Sequence, residues 1–90
     1  MPKLEELITF QVVAESGSYA TAARLLGRDT SIISRRIISL ESRLGARLIT
    51  RTSRSIQVTN VGARYLERLT SILTELEDAN REVSDRSAAD

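Results

Sequence analysis

The fold can be inferred outward from one segment, Asp29–Gly45, which reads DTSIISRRIISLESRLG. Its apolar residues recur at spacings of four, three and four, and on a helix of about 3.6 residues per turn such residues share one face. The residues on this face are Ile33, Ile37, Leu40 and Leu44. Asp29 is a suitable N-cap, and Gly45 stands where helices commonly end in a left-handed glycine. The segment is therefore predicted to be one complete helix with a buried face.

The opposite face of this predicted helix is polar and carries small hydroxyl side chains with an arginine. Its residues are Ser31, Ser34, Arg35 and Ser42. Small side chains leave room for a close approach, and the hydroxyls and the guanidinium can donate hydrogen bonds. Taken alone, a solvated surface that happens to carry serines is the simpler interpretation. A DNA-contacting face is the alternative, which depends on the rest of the chain.

The composition excludes several classes of function. The 90 residues contain no cysteine and no histidine, which removes the thiol nucleophile, the commonest general base and most soft metal ligands. We therefore expect no enzymatic activity, no metal and no cofactor. No apolar run approaches the roughly 18 residues of a membrane span, and the N-terminus lacks a signal-peptide core. A cytoplasmic protein without membrane contact is expected.

The net charge of +1 hides an uneven distribution along the chain. Residues 24–54 hold eight arginines against two acids, a net charge of +6, whereas residues 61–90 hold four arginines against seven acids, a net charge of −3. A basic segment of this kind suits a polyanion such as nucleic acid. The acidic C-terminal segment is expected to serve a different purpose.

Two shorter helices are predicted before the central one. The first carries its apolar residues within one half of a helix and ends at Gly17; these residues are Leu4, Leu7, Phe10, Val13 and Ala14. The second follows a possible N-cap at Ser18, and its apolar residues are Tyr19, Ala22, Ala23 and Leu26. Only Gly27 and Arg28 separate it from Asp29. A helix, a tight turn and a second helix form a helix-turn-helix motif.

The helical spacing of apolar residues ends at Gly45. Two short runs rich in β-branched residues, 48–51 and 55–58, flank the polar segment 52–54 and predict a β-hairpin. Thr59 can then cap a long helix. The predicted fold is mainly α: a winged helix-turn-helix of three helices and a short hairpin wing over 1–59, then a dimerisation helix over 60–86. Residues 87–90 are expected to be a disordered tail.

The long helix carries an apolar seam in which spacings of four and three alternate, as in a coiled coil. The seam positions are Gly62, Leu66, Leu69, Leu73, Leu76, Asn80 and Val83. A helix over 60–86 is about 40 Å long, more than the preceding domain is expected to cover. The six positions from Leu66 to Val83 are therefore predicted to pair with a second copy. Asn80 either lies in a fraying end or forms a polar pair that sets the register.

The joint pattern resembles the N-terminal region of LysR-type transcriptional regulators. The matching residues are Phe10, Ser18–Gly27, Ser31–Ile37, Leu40, Glu41, Leu44, Gly45, Leu48, Arg51, Thr52, Arg54, Thr59 and Gly62. The resemblance implies a winged helix-turn-helix and a linker helix through which two subunits pair, usually antiparallel. It also implies that a C-terminal effector-binding domain of periplasmic-binding-protein type lies beyond this chain, with the small-molecule site there. A full-length regulator of this kind could be tetrameric.

The resemblance also implies roles for particular residues. Ser34 and Arg35 match recognition-helix positions that contact bases or nearby phosphates, and arginine can contact guanine with two hydrogen bonds. Arg54 matches a wing arginine that reaches toward the minor groove, with Arg51 nearby. Arg36 is expected to meet phosphate. Two further positions at the start of the helix complete the predicted DNA-binding set: Thr30, where the family often has Gln, and Ser31, where it has Ser or Pro.

The prediction is thus a sequence-specific, dimeric DNA-binding module of a bacterial regulator, acting on the nucleoid and reading an interrupted palindrome in double-stranded operator DNA. One alternative is a helix-turn-helix used for protein association, in which the long helix is the functional surface. A small enzyme using Asp29 or Glu41 is a weaker alternative, because neither has a second catalytic group nearby in the sequence.

Overall fold

The computed structural model describes residues 1–52 and 55–89, with side chains as far as residue 86. Its elements are α1 (Leu4–Ser16), α2 (Tyr19–Leu26), α3 (Thr30–Leu44), β1 (Ile49–Arg51), β2 (Ile56–Val58) and α4 (Asn60–Ala89). The two strands are antiparallel, with Ile49 opposite Val58. The predicted mainly α fold, three helices and a hairpin followed by a long helix, is confirmed.

The helix ends follow the local signals in most cases. The Ser18 hydroxyl accepts a hydrogen bond from the Thr21 amide at 3.2 Å and so caps α2. Gly45 ends α3 with φ of +68°, a conformation that other residues adopt only with strain. Asp29 does occupy the N-cap position of α3, but its side chain makes no capping hydrogen bond. The predicted carboxylate cap is therefore wrong, and the exposed carboxylate faces water instead.

The core lies between the first three helices, the wing and the first half of α4. Its buried apolar residues are Phe10, Val13, Ala22, Ala23, Ile33, Ile37, Leu40, Leu48, Ile49, Leu69 and Leu73. Three of the four predicted α3 residues are buried in it, whereas Leu44 is partly exposed. Leu44 is the last residue of α3, where the chain turns toward the wing instead of continuing along the core.

A buried carboxylate fastens α1 to α3. Glu6 accepts hydrogen bonds from the Ser39 hydroxyl at 2.7 Å and from the Lys3 amide at 3.1 Å, and it pairs with Arg43 at 3.2 Å. Burial by itself would raise the pKa of Glu6, but the hydrogen bonds from Ser39, Lys3 and Arg43, together with the Arg43 charge, outweigh it and lower the pKa. The ionised form of Glu6 therefore stabilises the packing of α1 against α3.

A second carboxylate fastens the wing to α3. Glu41 accepts hydrogen bonds from the backbone amides of Leu48 at 2.7 Å and Ile49 at 3.2 Å, and it lies 3.6 Å from the Arg47 guanidinium. These bonds satisfy two amides at the start of the wing. Glu41, one of the two carboxylates named in the enzyme alternative, thus holds the start of the wing against α3.

The junction between the wing and α4 is closely packed. The Thr59 hydroxyl accepts a hydrogen bond from the Gly62 amide at 2.9 Å, which confirms Thr59 as the cap of α4. A Cβ atom at Gly62 would collide with the carbonyl oxygen of Leu48 and the side chain of Val58. Gly62 therefore belongs to the contact with the wing and not to a seam facing a second copy.

The first half of α4 is covered by the domain itself, contrary to the sequence prediction. Leu69 is 2% exposed and Leu73 6% exposed, both within the core, and Leu66 packs against it. The prediction that the domain could not cover this part of the stripe is wrong, because α1 lies alongside α4. Beyond Leu73 the stripe is open, with Leu76 40% and Val83 69% exposed. The backbone of residues 87–89 continues α4, so the helix does not end near Arg86 as expected.

Candidate nucleic-acid interface

The outer face of α3 is accessible at most of the positions that the sequence predicted. Thr30, Ser31 and Arg35 are exposed, and Ser34 is half-buried on the side toward the wing. The buried stripe on the opposite side fixes the helix, so this outer face is held rigidly. Exposed hydroxyls and a guanidinium in the N-terminal half of a helix-turn-helix's second helix are the features of a recognition helix for the major groove.

The two adjacent arginines of α3 have different surroundings. Arg36 points toward α1, where it donates a hydrogen bond to the Thr9 hydroxyl at 3.3 Å and pairs with Glu5 at 3.6 Å. Its side chain is only 20% exposed. Arg35 is exposed on the outer face. Arg35 is therefore accessible from outside the domain, whereas Arg36 is held within it.

The wing arginine Arg51 contacts an aromatic side chain of α2. The Arg51 guanidinium lies over the Tyr19 ring, 4.2 Å from its centroid. This cation–π contact joins the loop end of β1 to the start of α2. Burial raises the pKa of Tyr19, so its hydroxyl is neutral near pH 7. Arg54, the predicted minor-groove residue, lies outside the described residues.

An open groove of about 590 Å³ runs between α3 and the wing. Its lining includes Ser34, Ile38 and Ser42 from α3, and Arg47 and Arg51 from the wing side. The sequence pattern indicates only a core position for Tyr19 and predicts no role for Ile38 or Arg47. The signal for Ile38 was present, because it lies three residues after Arg35 and therefore on the predicted outer face.

Membrane spans and metal sites are both absent from the described residues. Over residues 1–52 and 55–89, no helix is long and apolar enough to cross a membrane. In the same part of the chain, no group of three or more acidic side chains is placed to hold a metal ion.

The fold and this surface define a winged helix-turn-helix DNA-binding domain. Residues 4–63 match the family model for the bacterial regulatory helix-turn-helix protein, lysR family. The chain therefore belongs to the LysR family, and it forms the DNA-binding domain of that family.

Similar proteins from several bacteria are named as transcriptional regulators. An HTH-type transcriptional regulator of Xanthomonas campestris pv. campestris is 44% identical over 80 residues, which cover 89% of this chain and 23% of the relative. The HTH-type transcriptional regulator CrgA of Neisseria meningitidis serogroup C is 42% identical over 79 residues, which cover 88% of this chain and 26% of CrgA. The chain thus spans about a quarter of the length of these curated relatives.

Solved structures with the same fold include complexes with DNA. The CbnR_DBD–DNA complex superposes with a TM-score of 0.86 at 33% identity, covering 98% of this chain and 99% of that one. The BenM_DBD/benA site 1 DNA complex has a TM-score of 0.88 at 27% identity, covering 94% of this chain and 96% of that one. Both coverages include the long helix, so the likeness extends beyond the winged domain.

Proposed function

We propose that this chain is the sequence-specific DNA-binding part of a bacterial transcription regulator and places α3 in the major groove of double-stranded DNA. The observation that carries the proposal is the rigid outer face of α3, which presents Arg35 and Ser31 while the opposite face is buried. Two structural neighbours described as DNA complexes, which match nearly the whole chain, support it. We propose that this DNA is chromosomal, which makes the nucleoid in the cytoplasm the proposed site of action.

The proposed roles follow from what each side chain is free to contact. Arg35 contacts a base, and guanine suits its two parallel donors. Thr30, Ser31 and Ser34 donate to nearby phosphates or base edges. Arg51 is engaged by Tyr19, and this contact holds the loop end of β1 against α2, whereas Arg54 remains the proposed minor-groove residue. Arg36 is not proposed as a phosphate contact, because Glu5 and Thr9 already bind its guanidinium.

We further propose that two copies pair through an exposed stripe of α4 that differs from the seam in the sequence prediction. Apolar positions again recur at spacings of four, three and four: Ile72, Leu76, Ala79 and Val83. All four are exposed, and Ile72 and Val83 are 59% and 69% exposed. This stripe is displaced around the helix from Leu69 and Leu73, and it omits Asn80. A second copy of α4 supplies the matching apolar surface, and the pair reads an interrupted palindrome.

The whole regulator is proposed to carry its effector site in a separate C-terminal domain. The chain covers about a quarter of its regulator relatives, and among its described residues the interface has donors suited to DNA rather than an enclosed ligand cavity. The chain itself acts by binding and not by catalysis, since Glu41 serves the wing and the relatives are transcriptional regulators.

A selection from a random DNA pool, followed by the matched variants Arg35→Ala and Arg36→Ala, tests the proposal. Arg35→Ala should reduce discrimination between the selected duplex and a scrambled one by about 1–3 kcal/mol, because a base contact is lost. Arg36→Ala should leave both the discrimination and the salt dependence of binding unchanged. Affinities are measured for both duplexes by fluorescence anisotropy across a range of salt concentrations.

Two outcomes would contradict the assignment in different ways. An equal loss on both duplexes for Arg35→Ala would make Arg35 a phosphate contact. If the pool yields no preferred sequence and binding does not weaken with salt, DNA binding itself is rejected, since binding through about six phosphates must depend steeply on salt. The protein-association alternative would then be favoured by the exposed stripe of α4.

A further inference from the structure

The outer face of α3 carries one large apolar side chain that the core does not explain. Ile38 is 62% exposed. Ser31, Arg35, Ile38 and Ser42 have the same four, three, four spacing as the buried stripe, displaced by two residues toward the N-terminus. Ile38 thus lies in line with the residues that face the ligand. Isoleucine is also a poorer helix former than alanine or leucine, so helix propensity does not account for it either.

The surroundings of Ile38 favour a polyanion over a second copy of the same surface. It lines the groove between α3 and the wing together with Ser34 and Ser42, and Arg47 and Arg51 lie on the opposite side of that groove. A second copy of the same surface would bring like charges together, whereas DNA brings the opposite charge. The apolar group that DNA offers in the major groove is the C5-methyl group of thymine.

We propose that Ile38 is a specificity-determining residue that contacts the methyl group of a thymine in the major groove. This inference rests on the proposed function and names a further part of its recognition surface. Ile38 is three residues after Arg35, which corresponds to about 4.5 Å along the helix axis. Base pairs are about 3.4 Å apart. The contacted thymine therefore lies about one or two base pairs from the base contacted by Arg35.

Removing the methyl group from the DNA and the side chain from the protein tests this contact from both sides. Each thymine of the duplex selected with the wild-type protein is replaced singly by deoxyuridine, and each duplex is measured with wild type and with Ile38→Ala. With wild type, one thymine per half-site should show a loss of about fourfold, the effect of burying one methyl-sized group. With Ile38→Ala, affinity for the unmodified duplex should fall by at least as much. The uracil at that position should then cause no further loss.

Controls separate this contact from other causes. Leu25→Ala removes another exposed apolar side chain, 67% exposed on α2, and should leave the sensitivity to uracil unchanged. Circular dichroism of Ile38→Ala should match wild type, because the side chain is exposed. The salt dependence of binding should also be unchanged, since no phosphate contact is removed.

If each uracil substitution has the same effect on wild type and on Ile38→Ala, the proposal is overturned. This failure is distinguishable from failure of the proposed function, because Arg35→Ala would still lose discrimination in the same assay. If no duplex is preferred at all, both proposals fall together. A change in sedimentation of Ile38→Ala without any change in DNA affinity would assign Ile38 to a protein contact instead.

Discussion

Helices α3 and α4 have the same type of apolar repeat but are covered in different ways. In α3 the stripe at Ile33, Ile37 and Leu40 is completely buried by the other elements of the domain. In α4 the domain covers Leu69 and Leu73 and leaves the residues beyond them exposed. A repeat therefore identifies which residues share a face, but the neighbouring elements determine whether that face is internal or available to a second copy.

The largest expected effect separates the two halves of the α4 stripe. Leu73→Ala should lower the free energy of unfolding by about 2–5 kcal/mol, because a buried leucine leaves a cavity in the core. The matched variant Leu76→Ala should cost much less, since Leu76 is 40% exposed, and should instead raise the dissociation constant of the dimer. Urea unfolding and sedimentation equilibrium measure the two quantities. The assignment of Leu73 to the core would be wrong if Leu73→Ala dissociated the dimer without lowering the free energy of unfolding.

The next effect concerns the buried attachment of α3 to α1. Glu6→Gln should lower the free energy of unfolding at pH 7 by about 1.5–3 kcal/mol, because charge-assisted hydrogen bonds from Ser39 and Arg43 are weakened. The matched variant Glu5→Gln, whose side chain is 57% exposed, should have little effect. Urea unfolding at pH 7 measures both variants.

The same carboxylate predicts a pH dependence of stability. The pKa of Glu6 in the folded protein lies below its ordinary value of 4.5, so its contribution is complete above pH 4.5 and is lost as the pH falls through the lowered pKa. Wild type should therefore lose more stability below pH 4.5 than Glu6→Gln does. Parallel stability profiles for the two proteins down to pH 3 would reject this role of Glu6.

The smallest expected effect concerns the wing. In addition to its core packing, the wing contacts α2 at the surface through Arg51 and Tyr19. Tyr19→Leu should cost about 0.5–1 kcal/mol of stability, because the cation–π contact with Arg51 is lost. Tyr19→Phe keeps the aromatic face and should behave like wild type. Urea unfolding measures this difference, and equal losses for Leu and Phe would assign the effect to the Tyr19 hydroxyl.

Local patterns in the sequence predicted the elements and the buried side of α3 well. The glycines at 17, 27 and 45 and the caps at Ser18 and Thr59 end or begin helices where expected. These signals are local because each depends on the conformation or hydrogen bonds of a few consecutive residues. The same reasoning predicted the exposure of Ser31 and Arg35. The helical period alone determines which residues lie on the face opposite the buried stripe.

The sequence by itself thus determined the order of elements, the basic DNA-binding segment and the outer face of α3. Only the tertiary structure decided which arginine of the adjacent pair is free, because Glu5 and Thr9 reach Arg36 from another helix. It also decided that α1 covers Leu69 and Leu73, which moves the available stripe of α4 around the helix. The physical reason is that both outcomes depend on contacts between residues far apart in the chain, and helical periodicity contains no information about such partners.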